Sequence, residues 1–300
     1  MTARLPWPVS GGARLHLPRD LQVAYTVGRM GAVTVYDVWP LFWQNVITAR
    51  YGFLRLTRLG LLRTFDRPDP SHPAWYALTA QGAEWVIGET GADEEELRVI
   101  SGIRRTNLGA LGGRNRFWTS LVLACRARGD TRLALFRPEW ELRRLKPDGV
   151  VPDGMAVISD GGSAGRAWMI ELDQGTERLA VWEAKARAYA ALRESGSSLY
   201  GASRWSVLAV VPSVRRARTV CQAVMKVGAG HFIFVGTAEA LEEGRALDRC
   251  LWRATTIASA ASAAPDSSLL DGEETPISDP DQLGQSAVDR LPGSDSGGAS

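Results

Sequence analysis

Lysine is nearly missing from this sequence: among 35 basic residues only Lys146, Lys185 and Lys226 are not arginine. So strong a bias reads as coding preference, so arginine alone says little and each lysine has to be explained by its position. Cysteine is equally scarce. Cys125, Cys221 and Cys250 lie far apart and form no CxxC pair, which excludes a disulfide framework and a cysteine-built zinc site and leaves small, reduced core residues. The three histidines, His16, His72 and His231, are scattered, so neither a histidine metal cluster nor a histidine-based catalytic pair is suggested. No apolar run approaches the length needed to cross a membrane. The opening MTARLPWPVSGG has no apolar core before a small-residue cleavage site, so a secretory signal is not indicated and cytoplasmic residence is expected. Finally, the glycine-rich DGGSAG connects two expected strands rather than a strand and a helix, so it does not qualify as a phosphate-cradling loop.

What is present is an ordinary globular composition, 45% hydrophobic and 23% charged over 300 residues, enough for one large or two small domains. The net charge of +2 hides an asymmetry. From Thr255 onward eight acidic residues face a single base, Arg290, so this stretch carries −7 and residues 1–254 carry +9. A basic body suits a polyanionic partner such as DNA. The stretch 255–300, rich in Ala, Ser, Gly, Pro and Asp, has no sustained periodicity and is expected to be disordered.

Residues 15–90 read as one unit. DLQVAYTVGRM predicts a helix, and Thr34 is a candidate N-cap for a second, VYDVWPLFW, with Pro40 late in it or breaking it. QNVITARYGFLRLTRLG predicts a third, with Ala49, Phe53, Leu56 and Leu59 at helical spacing and Gly60 as its stop. LLRTF and AWYALT are expected strands flanking the loop DRPDPSHP, and QGAEWVIGE begins a further helix. Three helices followed by strand, loop and strand is the order of a winged helix-turn-helix. In such a unit the third helix enters the major groove of double-stranded DNA. Arg50, Arg55 and Arg58 lie off its apolar stripe and could meet phosphates or base edges, with Arg67 on the wing loop. Units of this kind also serve as dimerisation or protein-docking modules, and that alternative stays open. Residues 91–111 read as a connector.

Residues 112–254 follow a second pattern. GRNRFWTSLVLACRARG predicts a helix with Trp118, Leu121, Val122 and Cys125 on one side; TRLALFRP, GMAVIS and AWMIELD are strands, the last two an antiparallel hairpin. A helix capped by Thr176 and running to about Glu194 precedes the strand RWSVLAVVP, the helix VRRARTVCQAVMKV and the strand HFIFVG. The order is αβββαβ followed by αβ. Within it, WMIELDQGTE sets Glu171 and Asp173 two residues apart at the end of a buried-type strand, hence on one face. If the hairpin pairs, Asp153 at the start of one strand lies near the end of the other, and three carboxylates converge. Asp148 is a rival for Asp153, which is preferred because it directly precedes MAVI. Carboxylates so close repel and need a cation, and oxygen ligands without His or Cys favour Mg²⁺ or Mn²⁺. At about 100° per residue Val181, Trp182, Lys185, Tyr189 and Leu192 share a helix face, so Lys185 projects from the side packed on the sheet while Glu183 points away. An ammonium there calls for an anionic partner, either the carboxylate cluster or, if the chain snorkels to the helix edge, a surface glutamate.

The αβββαβ order with PD before the second strand and an acidic end to the third resembles the PD-(D/E)XK nuclease superfamily. Together with the N-terminal helices, the ordered set VPDG, IELDQGTE and KARAY is similar to the replication-relaxation family of plasmids and other mobile elements. The resemblance implies a mixed α/β (α+β) fold and a role in replication or DNA relaxation, with replication or mobilisation proteins as further partners and no membrane. Carried over, it makes Asp153 and Glu171 metal ligands, Asp173 a further ligand, and Lys185 a catalytic lysine displaced onto the following helix. Asp173 stands where the superfamily has lysine. Two functions are therefore expected in competition: a Mg²⁺-dependent nuclease-like protein, and a non-enzymatic DNA-binding accessory or regulator that keeps the nuclease fold as scaffold.

Overall fold

The structure is a computed structural model, and it describes residues 18–65, 72–102, 108–145, 149–160, 165–240 and 252–253. Arg67 on the expected wing loop, Asp148, Cys250, most of the DGGSAG turn and the expected disordered tail lie outside the described residues. The chain is a mixed α+β protein with two sheets.

The N-terminal half begins with α1 (Arg19–Met30), β1 (Val33–Thr34), α2 (Val35–Phe42) and α3 (Val46–Arg58). Thr34 caps α2 with a reciprocal capping box: its hydroxyl accepts from the Asp37 amide, and Asp37 accepts from the Thr34 amide at 2.7 Å. Pro40 sits inside α2 without ending it. Asn45 caps α3 through the Thr48 amide at 2.9 Å. Gly60 takes φ +74° just after α3, a conformation glycine adopts without strain, and turns the chain into β2 (Leu62–Phe65). β3 (Trp75–Leu78) pairs antiparallel with both β1 and β2 in a three-stranded sheet, and α4 (Ala80–Thr90) follows. Gly82 in its first turn has no room for a side chain, since a Cβ there would lie 2.1 Å from the Leu61 carbonyl oxygen. Val23, Val27, Phe53, Leu56, Trp85 and Val86 form the core of this half.

The second half is built on a six-stranded sheet of order β4-β5-β6-β7-β8-β9: β4 (Thr131–Pro138), β5 (Gly154–Asp160), β6 (Arg166–Leu172), β7 (Trp205–Val211), β8 (Ile233–Thr237) and β9 (Trp252–Arg253). β4, β5 and β6 are antiparallel; β6, β7 and β8 are parallel. The parallel pairs require crossovers, supplied by α7 (Leu179–Glu194) and α8 (Val214–Lys226). Side chains alternate across β6. Ala167 and Met169 join Trp182, Tyr189 and Val220 in the core beneath α7 and α8, whereas Ile170 joins Phe117, Leu121 and Ala124 of α5 (Leu108–Arg128) on the other face.

Three sequence expectations differ from what is seen. A short helix, α6 (Glu139–Leu145), interrupts the anticipated order between the first two large-sheet strands; its seven residues, about two turns, carry too little periodicity to be read. Thr176 does not cap α7: the N-cap is Arg178, with no side-chain cap bond. The helix expected from 113 starts at Leu108, inside the assigned connector, and buries Phe117 and Ala124 as well as Leu121 and Cys125, while Trp118 and Val122 are half-buried. The reason is that α5 packs on two surfaces. One side covers the large sheet; the other meets the N-terminal half, where Asn115 donates to the Ala32 carbonyl at 2.8 Å and Asp37 at 3.3 Å, and Thr119 donates to the Asp37 carbonyl. Arg29 adds a bond to the Phe136 carbonyl and an ion pair with Glu141 at 2.7 Å. The connector is likewise bound, with Leu97 buried and the Arg98 amide donating to Gly28.

Asn115→Ala leaves the Ala32 carbonyl and Asp37 short of a donor at a buried site, and is expected to cost about 1–3 kcal/mol in chemical denaturation. Arg55→Ala, which strips the guanidinium from the fully buried Asp20, is expected to cost about 3 kcal/mol by the same measurement.

Candidate functional site

The Gly154–Ile170 pairing of the β5–β6 hairpin sets Asp153 opposite Glu171 one step beyond the ladder. Glu171 continues the row of Ala167 and Met169 toward α7, and Asp173 follows on the same side. Glu171 is 3% exposed. Its two oxygens accept from Tyr189 Oη at 2.7 Å and Lys185 Nζ at 2.9 Å, both on α7. Lys185 also donates to both oxygens of Glu177 at 2.9 and 3.1 Å, and its ammonium stands 5.3 Å from the Trp182 ring centre. Asp153 accepts from the Leu172 amide at 2.7 Å, while its own carbonyl receives the Glu139 amide, which starts α6.

Asp173 has a different environment. One oxygen accepts from the Gly175 amide at 2.6 Å; the other accepts from Trp182 Nε1 at 2.9 Å and Arg216 Nε at 2.6 Å. Arg216 also donates to the Glu177 carbonyl. Asp173 and Arg216 therefore fasten the 173–178 loop to α8, and that loop delivers Glu177 to Lys185. Gly175, at φ +81°, makes the turn. A guanidinium and an indole hold one Asp173 oxygen, so Asp173 has partners that Asp153 and Glu171 do not share. Among the described residues no group of three or more His, Cys, Asp and Glu side chains is placed to hold a metal ion. The oxygen-only pair Asp153 and Glu171 suits a hard cation held by two carboxylates, a mode Mg²⁺ uses with water and phosphate filling its other positions.

Charge balance in this region is lopsided. Four carboxylates, of Asp153, Glu171, Asp173 and Glu177, are set against Lys185 and Arg216. Burial pushes Glu171 up from the ordinary 4.5 to about 7; the Lys185 charge opposes this, and the Asp153 charge adds to it. Burial also raises Asp153, against the Leu172 amide bond and the Lys185 charge. For Lys185 burial acts downward, but Glu171 and Glu177 outweigh it and lift the ammonium above its ordinary value. Nearby, Arg114 of α5 is buried 3.7 Å from Glu139, its affinity for a proton lowered by burial.

The arginines assigned to DNA separate into distinct settings. Arg50 and Arg58 are exposed on α3. The Arg50 guanidinium donates to Tyr36 Oη and lies 5.6 Å from the Tyr36 ring centre. Arg55 turns inward to Asp20 at 2.6 Å and so ties α3 to α1. Sequence reasoning missed Glu177, the Tyr189 hydroxyl and Arg216. Tyr189 was legible, one turn after Lys185 on the same face; Arg216 was one of three arginines on α8, with nothing local to distinguish it.

Among the described residues no helix is long and apolar enough to cross a membrane. Neither the curated proteins nor the solved structures give a match to this chain. Residues 41–201, from the end of α2 through α7 and into the turn that precedes β7, match the family described as replication-relaxation, more than half of the 300 residues and the whole of the Asp153–Glu171–Lys185 arrangement. The chain belongs to the replication-relaxation family.

Proposed function

We propose that this protein binds double-stranded DNA of plasmids or other mobile elements through a winged helix-turn-helix at 15–90, and nicks or cuts it with a PD-(D/E)XK-like domain at 112–254, joined by 91–111. One observation carries the catalytic reading: Asp153, Glu171 and Lys185 come together from a loop, a strand end and a helix, in the chemical order acid, acid, ammonium. Asp153 and Glu171 would hold Mg²⁺ or Mn²⁺. When bound, the ion supplies a Lewis acid that activates water and offsets charge on the phosphodiester. Lys185 would orient the attacking water and offset charge at the Glu171 carboxyl; Tyr189 fixes that carboxyl by a hydrogen bond to the oxygen that Lys185 does not hold. Asp173 is reassigned from ligand to loop anchor. Arg50 and Arg58, and Arg67 on the loop between β2 and β3, contact phosphate; Arg55 acts only through the fold.

A second reading has its own support. Lys185 is shared with Glu177, and Asp173 is bound by Arg216, so the acidic centre is internally satisfied to a degree that suits a DNA-binding replication accessory with a silent nuclease fold. Nicking of supercoiled plasmid separates the two. The catalytic reading expects Mg²⁺-dependent relaxation that falls more than about a hundredfold in Glu171→Gln and in Lys185→Ala while DNA binding persists. Binding without any Mg²⁺-dependent nicking by the wild-type protein establishes the accessory.

The proton on Glu171 gives a further test. A carboxyl raised from 4.5 to about 7 contributes stability that is complete below pH 4.5 and is lost as pH climbs through about 7. In metal-free protein the unfolding free energy is expected to decline between pH 5 and 8 by on the order of 3 kcal/mol, and Glu171→Gln is expected to flatten that slope. Mg²⁺ at pH 6 should displace the proton, visible as buffer-dependent heats in titration calorimetry.

A further inference from the structure

The outward face of α3 is unusually apolar for a helix whose other face is fully engaged. Ile47, Tyr51 and Leu54 are 61%, 68% and 43% exposed, at positions i, i+4 and i+7, so they form one stripe. The opposite face, Ala49, Gly52, Phe53 and Leu56, is buried, so the stripe is not core left uncovered by a shifted register. Arg50 borders it on one side, and Arg58 continues it at the end of the helix. Tyr36, itself half-exposed, holds Arg50 by a hydrogen bond and by its ring, which fixes that guanidinium beside the stripe.

The charge of the surroundings selects among possible occupants. From Val38 to Phe65 there is no carboxylate, whereas Arg50, Arg55, Arg58 and Arg63 fall in that stretch. An apolar stripe with arginines beside it and no carboxylate on its own helix suits a surface that is anionic at its edges and apolar within. The major groove of duplex DNA has that character where thymines present their 5-methyl groups between two phosphate ridges. A 13-residue helix, about 20 Å long, fits along the groove.

We propose that α3 reads thymine in the major groove, with Ile47, Tyr51 and Leu54 against 5-methyl groups and Arg50 and Arg58 setting the register on phosphate. This rests on the DNA-binding reading above and adds the sequence class that reading leaves open. Ile47 and Leu54 supply methyl contact, and Tyr51 supplies a flat apolar surface. The chemistry selects thymine over cytosine, which lacks the methyl group.

The experiment is selection from a random-sequence duplex pool by the full chain, followed by binding to a selected duplex carrying either thymine or deoxyuridine. Deoxyuridine keeps every hydrogen-bonding group and lacks only the methyl. Expected are A·T-rich selected sites and about fourfold weaker binding for each contacted methyl removed, with no effect of deoxyuridine outside the protected region. In Ile47→Ala/Leu54→Ala the preference for thymine should shrink to the part that Tyr51 retains, with an unchanged salt slope. Arg58→Ala should lower that slope by about one and keep the preference for thymine. Equal wild-type affinity for thymine and deoxyuridine duplexes overturns the proposal, as does full preference in the double variant; the stripe then faces a protein. Failure to retain any duplex sinks the DNA-binding reading itself, a result distinguishable from the other two.

Discussion

Glu171 is the constraint around which the second half is organised. A carboxylate at the end of a buried strand costs several kcal/mol if it stays ionised and unpaired. The chain meets that cost by bringing two polar groups from a single helix. Lys185 and Tyr189 lie one turn apart on α7, so both reach the same carboxyl only if α7 crosses the sheet over the end of β6. Trp182, one turn before Lys185, then fills the space beside Asp173. The position of α7 therefore follows as much from polar pairing as from its apolar contacts with the sheet.

Even so, the pairing is incomplete. Glu177 competes for the same ammonium, and the Asp153 charge faces Glu171 across the hairpin. Burial first, and the Asp153 charge after it, push the Glu171 carboxyl up to about 7 against the pull of Lys185. On the proposed nuclease reading, proton and metal ion would be alternatives at one place, which would join the stability of the folded chain to the occupancy of the centre.

Much of this was legible in residue order. Period-two alternation in WMIELD places Met169 and Glu171 on one face, and helical spacing in VWEAKARAY places Lys185 toward the sheet; both rules are local and act within a single element. The capping box at Thr34 and the stop at Gly60 are equally local. What escaped depends on contacts between distant segments. Asp20 reads as an ordinary first-turn acid on α1, yet it is buried and turns Arg55 of α3 inward. Asn115 and Thr119 look like polar interruptions of an amphipathic helix; they are buried because α5 serves two surfaces, a condition no single-face periodicity reports. The pairing of Asp173 with Arg216 spans 43 residues and joins two elements whose own patterns are silent about it.

That last pairing shows how the chain accommodates an aspartate at 173, where the nuclease pattern it resembles has lysine. A lysine two residues after Glu171 would come from the strand itself. With aspartate there instead, the side chain points toward α7 and α8 and would add one more negative charge to a site already rich in it. Arg216 neutralises that charge, Trp182 donates to the same oxygen, and the resulting anchor holds the turn that carries Glu177. The ammonium beside Glu171 comes from α7. Lysine at 173 would set two cations against each other at Arg216 and free the loop that carries Glu177 to Lys185, so Asp173 and Arg216 act as one anchor.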